Sequence, residues 1–117
     1  MVESEQKTMN SVVIVDHGKF DFGQIPVPTC GPNQILVKVD SAALNPSDLM
    51  FMRGLYRAPI KYPHTPGIEA SGTIVAVHDS LDADKYVGKR VAFMKASEMG
   101  TYNIGGTFAE YAITYPR

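Results

Sequence analysis

Short runs of β-branched and apolar residues, broken every few positions by Gly, Pro, Asn or Asp, constrain this 117-residue chain more than any other feature. Such runs suit a pleated surface, whereas a helix needs a longer stretch with 3.6-residue periodicity. Six runs stand out. "SVVIVD" (11–16) is the first, and "HGK" then turns the chain into "FDFGQIPVP" (20–28). After the loop "TCGPNQ", the run "ILVKVDSAAL" (35–44) alternates most clearly, with Ile35, Val37 and Val39 on one face and Leu36, Lys38 and Asp40 on the other. "EASGTIVAV" (69–77), "VGKRVAFM" (87–94) and "GTFAEYAIT" (106–114) complete the set. Gly72, inside one of them, predicts a bulge or a close backbone approach. The spacing predicts an all-β barrel or sandwich, one credible helix over 46–53, and loops over 78–86 and 95–105. The polar residues 1–10 read as a flexible tail, leaving 11–117 as a single domain.

Composition removes several function classes. A formal net charge of −1 offers no basic surface for nucleic acid or an anionic membrane. No apolar run approaches the roughly 20 residues that a membrane helix needs. The single cysteine, Cys30, cannot form an internal disulfide, and zinc needs several ligands. A reducing, cytoplasmic setting is the simplest reading. The Gly-rich "NIGGTF" (103–108) leads into a strand, so it reads as a turn and not as a phosphate cradle at the head of a helix.

The stretch "LNPSDLMFMRGLY" (44–56) interrupts the β pattern. Asn45 suits an N-cap and Pro46 the first helical position. Asp48 is three residues past the cap, where a carboxylate favours the helix dipole. Gly54 can take the left-handed conformation that ends a helix. Capping and packing account for every residue as far as Gly54. Tyr56 follows the stop, and two readings stay open for it: a half-buried aromatic on the barrel rim, or a chemical group.

Other candidates are weaker. His64 reads as a solvated loop histidine, with catalytic base as the alternative. His17 and His78 read as surface turn residues. Glu69 opens an apolar strand and is either exposed there or buried with a partner. Cys30 has no neighbouring base in the sequence and is not proposed as a nucleophile.

Three blocks, "ILVKVDSAALNPSDLMFMRGLY", "YPHTPGIEASGTIVAV" with "VGKRVAF", and "GGTFAEYAI", occur in an order and spacing that carry a resemblance. Together they resemble the N-terminal GroES-like catalytic domain of medium-chain dehydrogenases/reductases, within the zinc-free quinone oxidoreductase (ζ-crystallin-like) branch. The resemblance covers residues from about 11 to 115. It implies a mainly β domain, a distorted and partly open β-barrel with one or two short helices. In full-length enzymes of this kind a Rossmann domain follows and binds NADPH, with the nicotinamide in the cleft between the domains.

The zinc-using branch has a cysteine ligand where this chain has Asn45, and a histidine ligand where it has Ile68. Neither residue suits zinc, so the resemblance implies no metal, with Glu69 in a structural role. It also implies that Asn45 stands near both nicotinamide and substrate carbonyl, where its amide can donate to a developing oxyanion. In the related 2-enoyl thioester reductases, the tyrosine matching Tyr56 is the proposed proton donor. The expected site is therefore Tyr56 and Asn45 as catalytic residues, with Asn45 also touching the cofactor.

The 117 residues carry no Rossmann pattern, so the chain is expected to be the substrate-side part of an NADPH-dependent quinone or enone reductase. It is not expected to bind NADPH tightly or to turn over alone. A small-molecule quinone or enone and the missing Rossmann domain are its expected partners, with neither nucleic acid nor membrane among them. A homodimer through the cofactor domain is the family's frequent arrangement for such a parent. The alternative is a stand-alone GroES-like binding or structural module without catalysis.

Overall fold

A computed structural model describes residues 7–55, 62–95 and 106–116. The described residues form two antiparallel sheets that do not close into a full barrel. The smaller is a hairpin of β1 (Thr8–Asp16) and β2 (Lys19–Pro26), with Val12 opposite Phe22 and Ile14 opposite Phe20. The larger contains β3 (Ile35–Ala42), β4 (Glu69–Val77), β5 (Arg90–Met94) and β6 (Tyr111–Thr114), in the order β5–β4–β3–β6.

All six expected runs contain a strand; β4 keeps the expected ends and the others shift at one or both. β1 starts at Thr8, inside the segment expected to be a tail. β5 and β6 are shorter than their runs. The helix α1 covers Pro46–Met52, close to the expected 46–53. A second, four-residue helix, α2 (Ala83–Tyr86), lies in the segment read as a loop. Its cap explains it: the Asp82 carboxylate accepts a hydrogen bond from the Asp84 N–H at 3.0 Å.

The large sheet owes its core to the alternation read in β3. Ile35 and Val37 are buried with Ile74 of β4, and Val77, Leu81, Tyr86, Val91 and Phe93 pack against them. Val37 is completely enclosed. Gly72 faces Val39 across the β3–β4 pair, and two register shifts flank that part of β3. A Cβ at Gly72 would run into the Lys38 carbonyl oxygen and lie 2.8 Å from Val37 Cγ1. Glycine is required there by the close approach that its position in the run suggested.

Residues 107–110 join the sheets. On one side they meet β1: Val12 N–H donates to Phe108 O at 2.9 Å and Glu110 N–H to Asn10 O at 3.2 Å. On the other, Val39 N–H of β3 donates to Glu110 O at 2.8 Å. Two loops cross closely beside this seam. A Cβ on Gly106 would strike the Thr65 and Pro66 carbonyl oxygens, and one on Gly67 would strike Thr107 Oγ1.

Candidate active site

Three strand ends meet at one edge of the large sheet: the last residues of β3, the first of β4 and the last of β5. Glu69 pairs with Met94 across β4 and β5. Ala43 N–H donates to Glu69 O at 3.2 Å, and Lys95 N–H donates to Ile68 O at 2.7 Å. The chain leaving β3 therefore enters α1 beside the Ile68–Glu69 corner, and Asn45 stands at that entry.

Asn45 is half-buried and has the extended backbone of an N-cap, with φ −94° and ψ 156°. Its carbonyl accepts from Asp48 N–H at 3.0 Å. The two arms of the capping box are unequal. Asp48 Oδ2 accepts the Asn45 N–H at 2.8 Å. The Asn45 side chain lies over the Asp48 N–H in the capping-box arrangement without completing a cap hydrogen bond. Asp48, only 3% exposed, thus fixes the backbone of Asn45 from inside the protein. Gly54 has φ 74°, the left-handed stop expected after the helix. Tyr56, the other expected site residue, lies outside the described residues.

His64 differs from its reading as a solvated loop histidine: it is 3% exposed. Its backbone is bridged to β1, donating to Ile14 O at 3.0 Å and accepting from Ile14 N–H at 2.7 Å. Its ring meets Phe51 edge-on at 5.3 Å between centroids. The bridge to β1 draws the loop inward, an interaction that local composition cannot reveal. Glu69 is exposed, the first of its two expected alternatives. His17 is exposed and His78 half-buried, its Nδ1 accepting from Ser80 N–H at 3.0 Å. Burial pushes the Cys30 thiol up from its ordinary range, so it holds its proton and is a poor nucleophile.

A groove of about 840 Å³ opens along the large sheet beside β3, β4 and β5. Ile35, Ala70, Ile74 and Phe93 line its body, and Ala43 and Glu69 line it where it reaches the strand ends. Lys95 lies beside those ends, half-buried in a segment that the sequence suggested was a connecting loop. The signal was there: Lys95 continues the alternation of Val91 and Phe93, so a lysine occupies a position with apolar period. Among the described residues, no three or more His, Cys, Asp or Glu side chains gather closely enough to hold a metal ion. No helix among them is long and apolar enough to cross a membrane.

Comparison with known proteins decides the family. Residues 31–117 match the model of the alcohol dehydrogenase GroES-like domain. The chain belongs to that family. Within it, the chain is similar to a quinone oxidoreductase of Lama guanicoe, with 34% identity over 112 residues, covering 92% of this chain and 32% of the relative. It is also similar to a probable quinone oxidoreductase of Schizosaccharomyces pombe, with 41% identity over 68 residues, covering 58% of this chain and 20% of the relative. Among solved structures, a putative NADPH:quinone reductase of Mesorhizobium loti superimposes with a TM-score of 0.75 at 35% identity, over 97% of this chain and 36% of that one. The chain thus spans between a fifth and about a third of these curated relatives. As a GroES-like domain of the medium-chain dehydrogenase/reductase type, its two sheets and short helices are those that the motifs implied, with the barrel left open.

Proposed function

We propose that this GroES-like domain is the substrate-side part of an NADPH-dependent quinone or enone oxidoreductase, and that it does not turn over by itself. The observation that carries the reading is the setting of Asn45. Its backbone is locked by buried Asp48 at the strand-end corner, in a chain similar to proteins named quinone oxidoreductase. A carboxamide on a fixed backbone can donate to the substrate carbonyl oxygen as that oxygen gains negative charge, with little reorganisation. Tyr56 is proposed as the proton donor to the neighbouring carbon, since a phenol with a pKa of about 10 is protonated at neutral pH. NADPH, in the parent protein, supplies the hydride.

The described residues of this chain do not fit the dinucleotide's phosphates. A Cβ on Gly106, in the Gly-rich stretch, would strike the Thr65 and Pro66 carbonyl oxygens, so carbonyl oxygens face this glycine, and they repel an anion. Phosphate binding is therefore assigned to the remainder of a longer protein. The proposed mechanism uses no zinc: the resemblance implies that Asn45 and Ile68 stand where zinc-using relatives have their ligands, and neither side chain is a donor that zinc prefers. Small-molecule reduction in the cytoplasm, with the parent as a homodimer, completes the proposal.

The test mixes the 117-residue chain with NADPH and a quinone or an enone and follows the cofactor's absorbance. The expected trace is flat for the chain and falling for the parent protein. Steady oxidation by the chain alone would sink the proposal. In the parent, Tyr56→Phe is expected to lower turnover about 100-fold or more, as for loss of a general acid; unchanged turnover would remove Tyr56 from the role.

A further inference from the structure

We infer that Lys95 is a specificity residue of that same corner, selecting quinones or enones that carry an anionic substituent such as a carboxylate. The inference rests on the reductase reading for the identity of the reacting group, and on the fold for the rest. Val91, Phe93 and Lys95 are half-buried along β5, while Arg90, Ala92 and Met94 between them are exposed. Lys95 therefore continues the face of Val91 and Phe93, which pack on the core, and it directly follows Met94, the last groove-lining residue of β5. Its backbone is pinned to Ile68 by the 2.7 Å hydrogen bond, so it stands at the corner and not on a free loop.

Among the described residues, no carboxylate pairs with the Lys95 ammonium. From β4, Glu69 pairs with Met94, whose side chain alternates to the other face from Lys95. From β6, Thr114 Oγ1 donates to Met94 O at 2.6 Å and brings no charge. The one ion pair among the described residues joins Arg90 to Asp40 at 3.2 Å, and no carboxylate there lies within that kind of reach of Lys95. Burial pulls the Lys95 amine below its ordinary value, the sign of an ammonium that has lost water and gained no anion in return.

β3 and β5 flank β4, two strand spacings or about 10 Å apart. Asn45 follows β3 and Lys95 follows β5, with apolar Ile68 between them at the head of β4. A ligand across this corner would set its carbonyl toward the Asn45 amide, its hydrocarbon over Ile68 and its anionic group toward Lys95. The second charge distinguishes the inferred substrates from plain quinones and enones.

The experiment uses an unreactive pair of ligands with one body, benzoylpropionate and its methyl ester, and measures binding to the full chain by NMR. No cofactor or turnover enters, so the result is independent of whether the reductase reading holds. The carboxylate is expected to bind about tenfold more tightly than the ester, the size of one charge-assisted contact. It should also raise the titration midpoint of Lys95, followed on lysine side chains carrying carbon-13 methyl groups. Lys95→Met should abolish the preference, and Lys95→Arg should keep it. Equal affinity for acid and ester, or a preference that survives Lys95→Met, overturns the inference. A midpoint that ignores the carboxylate overturns it as well, even where the acid binds better.

Discussion

At the scale of single residues, the site is organised from beneath. Asp48 carries the weight of the Asn45 corner, because a buried N–H left without its acceptor is costly. Asp48→Ala is expected to lower stability by about 1–3 kcal/mol in urea unfolding, with Asp48→Asn costing less because it keeps an acceptor. The sequence made Asp48 legible as a helix-start carboxylate, but not as a buried one, since its burial comes from the packing around α1. His64 teaches the same lesson: two prolines around it suggest an open loop, and a bridge to β1 that no local pattern encodes encloses it. Lys95 has a measurable cost of its own. Its folded-state value lies below the ordinary 10.5, so its ammonium destabilises the fold at neutral pH, and the penalty disappears as the pH rises from the lowered value to 10.5. Lys95→Met should therefore be more stable than the parent sequence near neutrality, and the difference in urea midpoint should shrink as the buffer is made alkaline.

Among the elements, alternation and capping carried most of the information. β3 and β4 begin where their apolar runs begin, and β4 matches its run end to end, because both strands bury one face and their side chains declare the period. α1 was legible from Asn45, Pro46 and Gly54. Strand starts elsewhere were not: β5 begins at Arg90 and β6 at Tyr111, each inside its run, where pairing with β4 and β3 begins. The four-residue α2 escaped because its polar composition resembles that of a loop, and only the Asp82 cap marks it. Gly72 offers a test at this scale. A side chain there meets the Lys38 carbonyl, so Gly72→Val should splay β3 from β4 and cost 3 kcal/mol or about that, at the upper end for overpacking. The measurements are a urea midpoint and the loss of cross-strand NMR contacts between Val39 and residue 72.

Over the whole molecule, protection from solvent is unequal. β3 is paired on both sides and holds Ile35 and Val37, whereas β2 pairs only with β1 and presents Phe22 at 85% exposure. Amide hydrogen exchange should be slowest through Ile35–Val39 and much faster in β2, with a gap of several kcal/mol between the two opening reactions. Equal protection would mean that the hairpin is held as firmly as the sheet. The two sheets were individually legible in the sequence, but their junction through residues 107–110 was not. It depends on Phe108 and Glu110 bonding in two directions at once, which a one-dimensional pattern cannot display.

The crossing of Gly67 over Gly106 bears on how such a domain can diversify. Because the Thr65 and Pro66 carbonyls close on Gly106, and Thr107 and the Phe108 N–H close on Gly67, neither position can accept even a methyl group, and a saturation library at the two sites should return almost only glycine. The crossing acts as a fixed fulcrum, and any retuning of the corner must come from residues that still have side chains to exchange, with Ile68 and Lys95 nearest to hand.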